Sequence, residues 1–88
     1  MKLIIAILRD EDSEPVSQSL ISQGFRVTRI ASTGGFLRRG STTLMIGVDE
    51  EKVDPAIEII RSNCPVTVEP GLKRATLFVL NVDRFTQL

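Results

Sequence analysis

The sequence predicts an α+β fold with the element order βαββαβ, which is the split βαβ or ferredoxin-like arrangement. Three observations lead to this prediction, and the first two are several long apolar runs typical of strands and two segments with apolar residues at helical spacing. The third is size, because 88 residues can enclose one small hydrophobic core but not two. We therefore expect residues 1–88 to form a single domain.

Apolar periodicity, together with cap and turn residues, places the elements along the chain. Asp54 is expected to cap the second helix, with Pro55 in its first turn, and Pro65 is expected to end it. The glycine-rich segment 33–41 should join the second and third strands as a hairpin. The predicted elements are strands at 3–8, 25–30, 42–48 and 75–82, and helices at about 14–23 and from 55 toward 65.

The predicted strands are apolar on both faces, although the helices of this fold cover only one face of the sheet. Residues 3–8, 44–48 and 77–80 lack the polar alternation that a solvated face requires. Another copy of the same chain, in a closed symmetric assembly, is the simplest cover for the second face. We therefore predict an oligomer whose subunit interfaces provide clefts for a ligand.

Composition argues against several functional classes. Eleven basic and eleven acidic residues give zero net charge, so the chain is not expected to bind DNA or RNA. The chain has no histidine and a single cysteine, Cys64, which we interpret as structural. Because helix capping explains the acidic clusters, we expect no catalytic residue, no metal site and no cofactor. The cysteine usage and the short apolar start indicate a cytoplasmic protein without membrane insertion.

Charge is nevertheless uneven along the chain. No acidic residue lies between Glu14 and Asp49, and the same stretch contains Arg26, Arg29, Arg38 and Arg39. Such a basic region suits a phosphate or carboxylate, although arginines also decorate exposed strands without any ligand. Gly34 and Gly35 would let backbone N–H groups approach an anion. Phe36 would stack on a flat base or, equally well, pack into a core.

Several stretches together resemble the PII-like cyclic di-AMP receptor family, which is related in fold to the PII nitrogen regulators. They are Met1-Lys2-Leu3-Ile4-Ile5-Ala6-Ile7, Phe25-Arg26-Val27-Thr28, Thr33-Gly34-Gly35-Phe36-Leu37-Arg38, Gly40 with Thr42-Thr43, Gly47-Val48 and Phe78-Val79-Leu80. The stretch 33–38 is the most specific of them, and the resemblance covers nearly the whole chain. It implies a homotrimer of ferredoxin-like subunits that holds cyclic di-AMP in the clefts between subunits and has no enzymatic activity.

The resemblance also implies a set of ligand-binding residues. Arg26 and Thr28 would contact phosphate and ribose, and residues 35–37 would form the loop that holds the base. Gly47 would let the ligand approach the third strand. Ser41 stands where the family commonly has an asparagine, and serine offers one hydrogen bond instead of the paired amide contact that suits adenine. The full set is Arg26, Thr28, Gly35, Phe36, Leu37, Ser41 and Gly47.

These observations predict a signalling protein that binds a cyclic dinucleotide, with cyclic di-AMP as the first candidate. Binding would order the loop 34–41 and so relay the signal to a downstream protein of unknown identity. The alternative is a trimeric adaptor that binds a protein partner, or another nucleotide or anion, and not cyclic di-AMP. The segment 65–74 bears on this choice, because family members carry a longer loop there; within it, 66–68 could form a short strand.

Overall fold

The computed structural model describes residues 1–31, 40–64 and 75–88. A 3-10 turn at Glu50–Lys52 leads into the second helix. The elements are β1 (Lys2–Arg9), α1 (Asp10–Ser22), β2 (Arg26–Ala31), β3 (Ser41–Val48), α2 (Val53–Ser62) and β4 (Ala75–Asn81). This is the predicted order. No helix within the described ranges is both long enough and apolar enough to span a bilayer.

The four strands form one sheet in the order β2-β3-β1-β4, and every neighbouring pair is antiparallel. β1 and β2 therefore run parallel to each other with β3 between them, as the split βαβ arrangement requires. β2 and β3 pair from Arg26 opposite Gly47 to Ala31 opposite Thr42. The predicted ferredoxin-like fold and the predicted pairing of the second and third strands are both confirmed.

Both helices pack on the same face of the sheet. Alternate residues of a strand point to opposite faces, so every second residue of β1 faces the helices. One continuous core results, and it contains Ile4, Ala6 and Leu8 of β1, Val16 and Leu20 of α1, Leu44, Ile46 and Val48 of β3, and Ala56 and Ile60 of α2. Burial of these aliphatic side chains, at roughly 1.5–3 kcal/mol each for the larger ones, is the main force that holds the helices on the sheet.

The opposite side of the sheet, which we call the open face, is also apolar. No helix of the described ranges lies on it. Phe78 and Leu80 of β4 are 51% and 46% exposed, and Ile30 of β2 is 44% exposed. The register aligns these residues with one another across the strands, together with Leu3, Ile5, Ile7 and Met45. The prediction that the strands are apolar on both faces is confirmed, and a patch of this kind is typical of an interaction surface.

Helix α1 begins at Asp10, directly after β1, whereas the sequence suggested a start near Glu14. No side chain caps the helix, because Arg9 occupies the N-cap position and its guanidinium can only donate hydrogen bonds. The backbone N–H of Asp10 instead donates to the carbonyl of Gly40 at 2.8 Å, and so one of the free donors at the helix start finds its partner in a neighbouring segment. The acidic residues occupy the first turn, where the helix dipole favours them.

Helix α2 begins at Val53, so that Asp54 lies in the first turn and does not form the predicted cap. The reason is the 3-10 turn, which ends at Lys52 and continues directly into the helix. Pro55 lies in the first turn as predicted, where its missing N–H has no helical acceptor. The helix ends at Ser62, and both Pro65 and the undecided segment 66–68 fall outside the described residues.

Arg29 joins β2 to α1 and does not share a face with Arg26. It pairs with Leu44 on the helix-covered side of the sheet, and its guanidinium donates to Glu14. This hydrogen bond lowers the pKa of the Glu14 carboxyl from its ordinary value, and a hydrogen bond from Gln18 and the charge of Arg29 act in the same direction. The basic region predicted from the sequence is therefore divided between the two faces, and Arg38 and Arg39 lie outside the described residues.

We predict that Arg29→Gln raises the pKa of Glu14, because the substitution removes the strongest donor to the carboxylate. A carboxyl with a depressed pKa in the folded state stabilises the fold above its unfolded pKa, and this contribution disappears as pH falls through the folded pKa. Carboxyl-carbon NMR titration measures the change directly. Arg61→Gln is the matched control, since Arg61 pairs with Glu58. An unchanged Glu14 pKa in Arg29→Gln would contradict the assignment.

Candidate ligand-binding site

Three of the predicted site residues lie together on the open face. Arg26 of β2 is directly opposite Gly47 of β3, and Thr28 is opposite Met45. Directly paired residues of an antiparallel sheet project to the same side, with Cα atoms about 4.5–5.5 Å apart. Residues alternate along β2: Val27 packs toward the core opposite Ile46, while Arg26 and Thr28 are exposed.

The guanidinium of Arg26 is available for a ligand. Within the described residues, the ion pairs are Arg9–Glu11, Arg29–Glu14 and Arg61–Glu58, and Arg26 belongs to none of them. Arginine is suited to phosphate because its planar fork donates two parallel hydrogen bonds. An exposed arginine that no described carboxylate engages, beside a glycine, has the chemistry to bind one phosphate group.

Gly47 leaves space beside Arg26, and Met1 borders this space. A Cβ atom built on Gly47 would lie 3.2 Å from Cε of Met1, and no other heavy atom is found within 4 Å of it. Met1 is itself 54% exposed and ends in a flexible thioether. A ligand can therefore approach the β3 backbone at Gly47 once the end of the Met1 side chain moves aside.

A cleft of ≈ 630 Å³ opens at this end of the sheet. It lies between the end of α1, the start of β2, the end of β3 and the side of α2, and both Arg26 and Gly47 line it. The volume is within the range of about 300–1,000 Å³ found for small-molecule pockets. Polar residues of the two helices, of the positions that directly follow them and of the 3-10 turn complete its lining: Ser19, Gln23, Lys52, Glu58, Ser62 and Asn63.

Ser41, by contrast, lies at the other end of β3. It is opposite Arg9, on the open face, and six positions from Gly47, which at about 3.4 Å per residue is a separation of roughly 20 Å. Gly35, Phe36 and Leu37 fall outside the described residues. The segment that contains them is bounded by Ala31 and Gly40, which lie at the Ser41 end of the sheet. Within a single protomer, Ser41 is therefore far from the group formed by Arg26, Thr28 and Gly47.

The base of the 32–39 segment is tied to α1, which sequence reasoning missed. The Thr42 hydroxyl donates to the Asp10 carboxylate, and the Asp10 N–H donates to the Gly40 carbonyl. Gly40 has a φ of +83°, a backbone conformation that favours glycine. Thr42 lies 32 positions after Asp10, so this contact could not be found without the strand register. These contacts connect the first turn of α1 to the start of β3.

Thr43 is a second residue that sequence reasoning missed. Its side chain projects to the open face between Ile7 and Ile30, and it is only 7% exposed. Its hydroxyl has no hydrogen-bond partner in the part of the chain that the structure describes. A buried hydroxyl without a partner costs about 1–3 kcal/mol, which favours a partner supplied by a ligand or another chain.

The chain is a small α+β protein with Arg26 and Gly47 on a cleft at one end of an antiparallel sheet. A sequence model of the cyclic-di-AMP receptor family matches residues 1–69, which is more than half of the chain. The chain belongs to this family, as the resemblance indicated. The family is one of receptors, which favours the expectation that the protein has no enzymatic activity.

A solved structure supports the same fold. The chain is similar to a functionally unknown protein from Pediococcus pentosaceus, with 40% sequence identity and a TM-score of 0.78. The similarity covers 99% of this chain and 96% of the other. The two proteins therefore have nearly the same length. The roles of individual site residues remain predictions.

Proposed function

We propose that this protein is a signalling receptor that binds cyclic di-AMP at clefts between the subunits of a homotrimer. The observation that carries the proposal is the unpaired Arg26 beside Gly47 at the edge of a cleft, in a chain of the cyclic-di-AMP receptor family. The Arg26 guanidinium binds one phosphodiester, and Thr28, two residues further along β2, offers its hydroxyl to the ribose. The space at Gly47 admits the nucleotide close to the β3 backbone.

A site shared between subunits accounts for the separation of Ser41 from Arg26. Two groups of residues roughly 20 Å apart along one strand can meet the same nucleotide if each comes from a different copy of the chain. The open face supports such an assembly, since Phe78, Leu80 and Ile30 are exposed in one protomer. Covering this face with further copies removes apolar surface from water and offers a partner to the Thr43 hydroxyl.

The proposed relay depends on the connection between the loop 34–41 and α1. Ligand bound at the loop changes the surface that the loop offers to a downstream protein, by shifting the population of loop conformations. The contacts of Asp10 with Gly40 and Thr42 link that change to the start of α1. The alternative, an adaptor that binds a protein partner and no cyclic di-AMP, makes the opposite prediction in a nucleotide titration.

We predict that calorimetric titration of the full chain with cyclic di-AMP gives saturable binding, and that Arg26→Ala weakens it by about 1–3 kcal/mol. The loss follows from removal of the charge-assisted hydrogen bonds to phosphate. Arg84→Ala is the matched control, because Arg84 is exposed and does not line the cleft. Absence of heat and of any thermal shift at about millimolar ligand would refute the receptor function and favour the adaptor. Equal affinities of Arg26→Ala and the wild type would place the ligand elsewhere.

A second prediction separates ligand contact from folding at Gly47. Gly47→Ala should leave the thermal midpoint unchanged or slightly higher, because the new methyl group meets only the flexible end of Met1 and alanine is less costly than glycine in a strand. The same substitution should weaken cyclic di-AMP binding severalfold by filling the space that the nucleotide enters. Calorimetry and thermal unfolding of the same sample measure both effects. Unaltered affinity would show that the ligand does not approach β3 at Gly47.

A further inference from the structure

Lys52 is a second cation on the cleft that contains Arg26. It is the last residue of the 3-10 turn that follows β3, and its backbone N–H donates to the Asp49 carbonyl at 2.9 Å. This turn brings the chain back to the end of the sheet where Gly47 lies. Lys52 lines the cleft, whereas Glu50 and Glu51 of the same turn do not. Lys52, the basic residue of this otherwise acidic turn, is therefore the residue of the turn that lines the cleft.

Among the described residues Lys52 has no acidic partner, although two carboxylates line the same cleft. Glu58 is engaged by Arg61 at 2.9 Å, and Asp49 contacts Lys52 only through the backbone. Among the described residues, neither Lys52 nor Arg26 takes part in an ion pair. The ion pairs of the described residues involve Arg9, Arg29 and Arg61. Arg26 and Lys52 are therefore two cations on one cleft that no described carboxylate engages.

We propose that Lys52 binds the second phosphate of the ligand, so that Arg26 and Lys52 each neutralise one phosphodiester. This inference rests on the proposed function, and it adds a binding residue that neither the sequence motifs nor the family resemblance assigned. A cyclic dinucleotide carries two phosphodiesters with one negative charge each, which matches two separate cations. Lysine suits this role as a mobile point charge, while Arg26 supplies the directional contact.

The test is calorimetric titration of the full-length protein with cyclic di-AMP, in wild type, Lys52→Gln and Lys52→Arg. Lys52→Gln should weaken binding roughly tenfold by removing a charge-assisted contact, and Lys52→Arg should restore most of the affinity. The difference between wild type and Lys52→Gln should shrink as salt rises from about 0.05 to 0.5 M, because salt screens exposed charges. Lys2→Gln is the matched control, since Lys2 is hydrogen-bonded to Asn81 and does not line the cleft.

The outcomes separate this assignment from the proposed function. If the wild type binds cyclic di-AMP and Lys52→Gln binds equally well, the assignment of Lys52 is wrong while the receptor function stands. An equal loss in Lys2→Gln would also overturn it, because the effect would then reflect overall charge. If the wild type does not bind at all, both proposals fail. Thermal unfolding of each variant shows whether a loss of binding comes from a loss of structure, which is not expected at an exposed residue.

Discussion

The structure depends on a sheet that is apolar on both faces but covered by helices on only one. Ile4, Ala6 and Leu8 of β1 are fully enclosed against α1 and α2, whereas Leu3, Ile5 and Ile7 of the same strand point the other way. Aliphatic side chains on the second face have the same tendency to leave water as those in the core. The hydrophobic effect thus folds the protomer and also leaves a second apolar face, which in our proposal further copies of the chain cover.

The same sheet determines where a ligand can bind. Antiparallel pairing puts Arg26 beside Gly47, and the end of the sheet opens into a cleft between the two helices. Ser41 begins the strand that Gly47 nearly ends, so strand length alone holds them apart. If one ligand contacts both Ser41 and Gly47, the two residues must come from different copies of the chain. Ligand binding would then depend on assembly.

Sequence patterns were sufficient for the element order and for the pairing of β2 with β3, because apolar periodicity and the glycine-rich connection indicate them. Once β2 is placed, strand alternation decides the face on which Arg26 and Thr28 lie. They were insufficient where a partner distant in the chain decides the outcome. Asp10 carries the residue type of a helix cap, yet its backbone and carboxylate contact Gly40 and Thr42. The sequence grouped Arg29 with Arg26 in one basic region. The two are three positions apart on β2, an odd number, so their side chains lie on opposite faces, and Arg29 pairs with Glu14.

Sedimentation equilibrium of the full chain at micromolar concentration, without nucleotide, tests the central claim most directly. Association through the open face predicts a single species with three times the 9.7 kDa mass of the chain. Replacement of exposed Phe78 by a charged residue such as glutamate should then shift that species toward the protomer. A folded, monodisperse protomer in the wild-type sample would contradict the account.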